Sequence, residues 1–311
     1  MAGPQGPAGP QGPAGANGNA GPTPLQIATL HWWAINTTFP TLPVGTSPVA
    51  IAFDGASIWI SNENSYNVYR FQASTGALLG TYPAGHGAQY MAFDGTAIWV
   101  TNPGDNTVTK LNAATGATMG TYVTAATPDG IVFDGNFIWI ANFGSGNVTK
   151  HNVSNGAIVQ TIAVGVSPRL LAFDGTNIWV TVAGEDSVAK ISASTGAVLA
   201  SYAVVGMPYA ITFDGTNIWV TAGTGNTLTK FVAATGALVG TYATGASPNG
   251  IAFDGTYIWT TNQNPNTVSK HLASTGALVA TYPVGRRPQW VAFDGANMWV
   301  TNGTDNTVSR L

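Results

Sequence analysis

Cysteine is absent from the 311-residue chain, which excludes disulfide staples and thiol chemistry. Charge is scarce: Asp, Glu, Lys and Arg make up 7% of residues, with ten basic and thirteen acidic side chains. No basic stripe can form, so a nucleic-acid surface built on phosphate neutralisation is excluded. No apolar run approaches the ~20 residues of a transmembrane helix. The opening residues, Met1 to Gly6, lack the basic and apolar regions of a secretory leader, so export would require a leader outside this chain or another route. The surface must be covered by uncharged Thr, Asn, Ser and Gly. That suits an extracellular, cell-surface or virion-exposed protein.

What is present is periodic. Gly3, Gly6, Gly9, Gly12, Gly15, Gly18 and Gly21 fall on a strict three-residue period. Only glycine fits the crowded axis of three intertwined polyproline-II chains. Residues 1–23 therefore read as a short collagen-like stalk, roughly 60 Å long at about 3 Å per residue. A triple helix implies a homotrimer. Residues 24–37, with His31, Trp32 and Trp33, read as a linker whose tryptophans pack under the head or seal the trimer.

A second, longer period governs the rest. Phe-Asp-Gly recurs seven times, starting at Phe53, Phe93, Phe133, Phe173, Phe213, Phe253 and Phe293, each 40 residues apart. A tryptophan follows six positions after each phenylalanine, from Trp59 to Trp299. A unit of about 40 residues built of short strands is a β-propeller blade. The fold class is all-β: a seven-bladed propeller over residues 38–311. In the second copy, Met91 to Phe93 is strand A, the Asp94-Gly95 pair suggests a type I′ hairpin turn, and Ile98 to Asn102 is strand B. TVTKLN forms strand C, and ATMGTYV, after the turn at Gly116, forms strand D. The last copy stops at Leu311, after its third strand. Residues 38–44 align with a fourth strand, so the ring is expected to close by strand exchange between the chain ends, which removes exposed edges.

This phase assigns two faces. The Asp-Gly and Ser-Thr-Gly turns share one face, where the stalk is expected to join; the D–A and B–C loops share the other. Seven aspartates sit in the turns and seven basic residues at one strand-C position: Arg70, Lys110, Lys150, Lys190, Lys230, Lys270 and Arg310. The other nine charges, Glu63, Asp105, Asp129, Arg169, Glu185, Asp186, Arg286, Arg287 and Asp305, all read as D–A or B–C loop residues; Asp105, Asp186 and Asp305 also suit simple turn roles. The residue after the D–A proline position varies as Val49, Gln89, Asp129, Arg169, Tyr209, Asn249 and Gln289, where each blade enters the channel. Tyr90 and Trp290 follow two of them, and Tyr66 and Phe143 add aromatics. Aromatic faces beside amides, a carboxylate and a guanidinium suit sugar rings and their hydroxyls. The candidate ligand-binding residues are Gln89, Tyr90, Asp129, Arg169, Tyr209, Asn249, Arg286, Arg287, Gln289 and Trp290. Trp290 is the expected stacking platform.

The motifs WVTN (Trp99 to Asn102, Trp299 to Asn302), DNTV (Asp105 to Val108) and the STGALV-type turns resemble the YVTN family of bacterial propeller repeats, related to NHL-type propellers. The resemblance covers residues 38–311 and implies the fold; the family hosts surface, binding and enzymatic members. A collagen-like stretch joined to a terminal head is similar to phage tail fibres and bacterial fibrous adhesins. That resemblance implies a head that recognises a cell-surface receptor, often a glycan.

Two alternatives stand beside this reading. One is an enzyme like virginiamycin B lyase, a similar propeller whose chemistry uses histidine and glutamate with magnesium. Of the four histidines, only His86 lies in a D–A loop; His151 and His271 follow the repeated lysine in strand C, and no metal-ligand spacing is visible. No catalytic residue, metal or cofactor is assigned. The other alternative is a purely structural fibre component.

Overall fold

The computed structural model describes residues 41–311. The Gly-X-Y stretch, residues 24–37 and residues 38–40 lie outside the described residues. The described chain forms seven four-stranded antiparallel sheets, arranged as a propeller. In blade 1, β1 of the chain (Thr41–Pro43) belongs elsewhere; the blade itself is β2 (Pro48–Phe53), β3 (Ser57–Asn62), β4 (Asn67–Gln72) and β5 (Leu78–Pro83), here strands A to D. β1 pairs with Thr307–Arg310 and completes blade 7, with Thr41 beside Ser309 and Pro43 beside Thr307. The expected strand-exchange closure is thus the observed one. β1 runs from the turn side of the ring toward the loop side.

Strand B is buried along its whole length in blades 1, 2 and 7 and at all but its first residue in blades 3 to 6, because each sheet is covered on both faces by its neighbours. Six of the seven repeat tryptophans are fully buried, and Trp259 is 6% exposed. The fixed Asp-to-Trp spacing has a direct cause. In every blade the indole Nε1 donates to the turn aspartate's Oδ2 at 2.7–2.8 Å, from Trp59 to Asp54 through Trp299 to Asp294. The strand-C cation lies over the same indole, with Lys190 Nζ 4.9 Å from the ring centre of Trp179. That Nζ donates to Ala233 O of the next blade at 2.7 Å, and Arg310 closes the ring by donating to Ser74 O at 3.4 Å. Turn, core and neighbouring blade are therefore linked through one repeated Asp–Trp–cation unit.

The turn geometry differs from the type I′ expectation. Asp54 Oδ1 accepts from the N–H groups of Ala56 and Ser57, and Asp54 N–H pairs with Ser57 O. The two central residues are then Gly55 and Ala56, and only Gly55 has a positive φ, of 96°. Glycine at the first central position alone is the φ pattern of type II′. The carboxylate, by taking two amides, holds the aspartate outside the turn centre. Gly116, in the C–D turn, has another reason for being glycine. A Cβ there would lie 1.9 Å from the Tyr82 ring of the preceding blade, and its φ is +75°.

Candidate functional site

The site is built on strand A. In six blades a register shift separates the proline pair from the apolar pair: Pro48 faces Asn62, and Ile51 faces Ile60. Two residues, 49 and 50 in blade 1, thus oppose the single residue 61, which is a β-bulge. Asp129 and Arg169, read from sequence as loop residues, lie in these bulges inside strands Pro128–Phe133 and Pro168–Phe173. First bulge residues of neighbouring blades meet, Asp129 with Arg169 and Asn249 with Gln289, while the second residues Ala50, Leu170 and Trp290 line one apolar space. In blade 2 the strand is shorter, Met91–Phe93, and Gln89 and Tyr90 hold the same places by bonding to Thr101.

A hydroxyl opposite the bulge secures the ring. Thr181 Oγ1 accepts from Leu170 N–H and donates to Tyr209 O of the next blade at 2.8 Å. Ser61, Thr221, Thr261 and Thr301 make the equivalent donation to Gln89, Asn249, Gln289 and Val49. Blade 3 is the exception among the described residues. Thr101 of blade 2 bonds within its own blade, and Ala141 of blade 3 has no hydroxyl. Blade 3 also carries Gly130, where a Cβ would lie 2.4 Å from Arg169 O. The seam between blades 3 and 4 is held at the mouth by an ion pair instead, Arg169 Nη1 to Asp129 Oδ2 at 3.4 Å.

That pair is the electrostatic centre of the mouth. Asp129 is buried, while Arg169 keeps about a quarter of its side chain exposed, at 26%. The guanidinium is flanked by Phe143 of blade 3 at 4.5 Å and Tyr209 of blade 5 at 4.9 Å from the ring centres. Its Nε, shielded from solvent, has no acceptor among the described residues. Burial pushes the Asp129 carboxyl up to about 7; Arg169 pulls it down and Glu63 pushes it further up. Burial prevails over the pairing because the contact is single and long, whereas strong Arg–carboxylate pairs are short and bidentate.

Around this centre stand amides and phenols. Gln89 Nε2 donates to Glu63 Oε1 at 3.2 Å, and Asn249 Nδ2 donates to Gln289 Oε1 at 3.0 Å. Gln263 Nε2 donates to the same Gln289 oxygen at 2.7 Å. Asn249 Oδ1 is buried with no donor among the described residues. Tyr90 and Tyr209, from blades 2 and 5, meet with their hydroxyls 2.8 Å apart. Burial raises both phenols above their ordinary range. Trp290 packs edge-on to Tyr90 at 5.3 Å and with it lines an apolar space of about 50 Å³ that also includes Ala50, Ile131, Leu170 and Ile211.

Eight of the ten sequence-derived candidates therefore line the mouth or its floor: Gln89, Tyr90, Asp129, Arg169, Tyr209, Asn249, Gln289 and Trp290. Trp290 is half-buried and belongs to the floor. Arg286 and Arg287 stand apart, exposed on their loop, with Arg286 Nε donating to Asp305 at 2.6 Å. Glu63, Phe143 and Gln263 complete the site. Their signal in the sequence is positional: each is the first residue after strand B, 26 positions before the mouth residue it touches. Several loop charges serve the loops themselves. Asp105, Glu185, Asp186 and Asp305 accept backbone N–H groups of the adjoining D–A loops. His86 pairs with Asp105 at 2.7 Å. Among the described residues no group of three or more His, Asp or Glu side chains could hold a metal ion, and no helix is long and apolar enough to cross a membrane.

No family model and no curated protein matches the chain. Solved structures do. The chain is similar to hydrazine synthase from Kuenenia stuttgartiensis at TM-score 0.78 and 19% identity, over 88% of this chain and 96% of that one. It is also similar to a catalytically inactive virginiamycin B lyase from Staphylococcus aureus with quinupristin, at TM-score 0.74 and 18% identity, over 88% and 98%. A streptogramin B lyase gives TM-score 0.75 and 18% identity, over 88% and 95%. At such identities the likeness establishes the seven-bladed propeller fold alone.

Proposed function

We propose that the propeller is the recognition head of a stalked, homotrimeric receptor-binding or adhesive protein, exposed on a cell surface or virion, and that it binds a glycan at the channel mouth. One observation carries this reading. The mouth is where the repeat gives way to a set of unlike polar side chains in contact with one another, Asp129 with Arg169 and Tyr209 beside it, Asn249 with Gln289, and Gln89 with Glu63. Amides and carboxylates that hydrogen-bond one another at 3.0–3.2 Å can exchange those bonds for sugar hydroxyls. Phe143 and Tyr209 supply aromatic surface beside them. A glycan array on the full chain tests this. Binding is expected, and it should fall at least about tenfold in Asn249→Ala/Gln289→Ala. An empty array, or binding indifferent to that pair, counts against the reading. Light scattering on the full chain tests the trimer.

A propeller enzyme acting at the same mouth is the second reading, favoured by the Asp129 carboxyl near 7 beside Arg169 and Tyr209, which suits proton transfer at neutral pH. Turnover of a bound sugar, abolished in Asp129→Asn with binding retained, would select it.

A further inference from the structure

We infer that Arg169, through the exposed end of its guanidinium at Nη2, anchors a carboxylate of the ligand, so that the mouth selects acidic sugars over neutral ones. This rests on the reading that the mouth is the ligand site. Rings flank the guanidinium on both sides, Phe143 from blade 3 and Tyr209 from blade 5, so it is approached along its edge. Nη1 is committed to Asp129. Nε is shielded from solvent, which leaves Nη2, engaged by no hydrogen bond among the described residues, as the nitrogen a ligand can reach. A carboxylate oxygen there makes a charge-assisted bond stronger than that of a neutral hydroxyl. The rings hold the guanidinium in one orientation before any ligand arrives, so little side-chain freedom is lost on binding.

The rest of the mouth suits the remainder of an acidic sugar. Asn249, Gln289 and Gln89 offer amide groups for ring hydroxyls, and the two phenols share one proton between their oxygens, leaving a second hydroxyl proton to donate. The ionisable groups facing Arg169 and Asp129 are Glu63, Tyr90 and Tyr209. Asp129 competes with a ligand carboxylate for the same cation. Once protonated it ceases to compete, so acidic-sugar binding should strengthen as the medium is acidified toward about pH 5, where a sugar carboxylate is still ionised.

The test is a ligand-observed NMR titration of the full chain with methyl glucuronide, methyl glucoside and glucose 6-phosphate, at about pH 5 and about pH 8. The expected result is at least an about tenfold preference for the glucuronide over the glucoside, larger at the lower pH. The preference should vanish in Arg169→Gln. Because that variant leaves Asp129 buried without its partner, Asp129→Asn/Arg169→Gln is measured beside it, with thermal melts confirming folding. Asp129→Asn alone should bind the glucuronide with little pH dependence. Equal binding of the two methyl glycosides, a preference that survives the double variant, or stronger binding of the phosphate would overturn the inference. If the neutral glycoside binds and Asn249→Ala weakens it while Arg169→Gln does not, this inference fails and the mouth remains the site. If no sugar binds at the mouth at all, both fall.

Discussion

Replacing Asp129 by asparagine isolates the electrostatics of the mouth. The carboxyl moves from 3.8 to about 7 on folding, chiefly through burial. The folded state thus holds this proton more tightly than the unfolded chain. Its stabilising contribution is complete below about pH 4 and is lost as pH rises through about 7. Each unit of that window costs about 1.4 kcal/mol, so the full loss is about 4 kcal/mol. Between pH 5 and pH 8 only the two units up to 7 count, which leaves about 3 kcal/mol. Asparagine keeps the shape and a hydrogen-bonding oxygen for Arg169 but cannot ionise. The variant should therefore gain on the native protein as pH rises, by about 3 kcal/mol between those two values, or roughly 6–12 °C in Tm for a domain of this size. Urea unfolding of both proteins at each pH gives the numbers. Taking the difference between the proteins cancels every other titrating group. Parallel stability curves across this range would refute the argument, since they would mean that Asp129 ionises in the fold as easily as in the open chain.

Three further outcomes follow from the repeat. Gly116→Ala should destabilise by several kcal/mol, because its Cβ meets the Tyr82 ring at 1.9 Å, whereas Gly55→Ala, with nothing within 4 Å, should cost only about 1–2 kcal/mol for its positive φ; thermal melts of the two separate packing from backbone strain. Trp179→Phe keeps one aromatic ring but removes the Nε1 bond to Asp174 and leaves a cavity where the rest of the buried indole was, and should cost about 2–5 kcal/mol in urea unfolding. His271 is buried, its Nε2 has no partner, and burial lowers its pKa. The neutral ring is the folded form, so stability is complete above about pH 6.5 and declines as pH falls below it. His271→Phe, which places there the residue that Phe71 and Phe231 supply at the same register, should make that acid limb shallower, with the share of His151 remaining, while an unchanged limb would assign it elsewhere.

The fold was legible because a 40-residue period exposes both the strands and their phase. The closing strand followed from the copy that ends early at Leu311. The ring of mouth residues was equally legible, since positions that break a strict repeat stand out against it. The turn type was not, because it depends on where the Asp54 carboxylate finds its donors, and a dipeptide does not specify that. The contact of Trp290 with Tyr90 was not legible, because nothing in the sequence ties those two blades together. Asp105, Asp186 and Asp305 were legible as turn residues and do accept loop amides, whereas Glu185 looked surplus because the Val166 amide it accepts from carries no mark in the sequence. The Asp–Trp–cation unit could have been found. Aspartate, tryptophan and the strand-C cation keep fixed spacings in all seven copies, and fixed spacing between polar and aromatic residues points to a shared bond.

Blade 3 gathers the departures that matter. Ala141 removes the seam hydroxyl, and Phe143 and Asp129 contact Arg169, while Gly130 is shared with blade 6, where Gly250 likewise sits close to Gln289 O. Five seams carry the hydroxyl bond, and the two that do not are those on either side of blade 3. On the proposed reading, a repeat that omits a favourable bond beside the Arg169–Asp129 pair gives up stability where a ligand binds. Ala141→Thr restores the residue found at the same register in blades 2, 4, 5, 6 and 7. Its hydroxyl would meet the carbonyl of Arg169 and add about 1 kcal/mol, roughly 2–4 °C in Tm. The same bond would fix the Arg169 backbone. If the open seam serves ligand entry, the stabilised protein should bind more weakly at the mouth. A rise in Tm with undiminished affinity would show that the missing hydroxyl has no part in recognition.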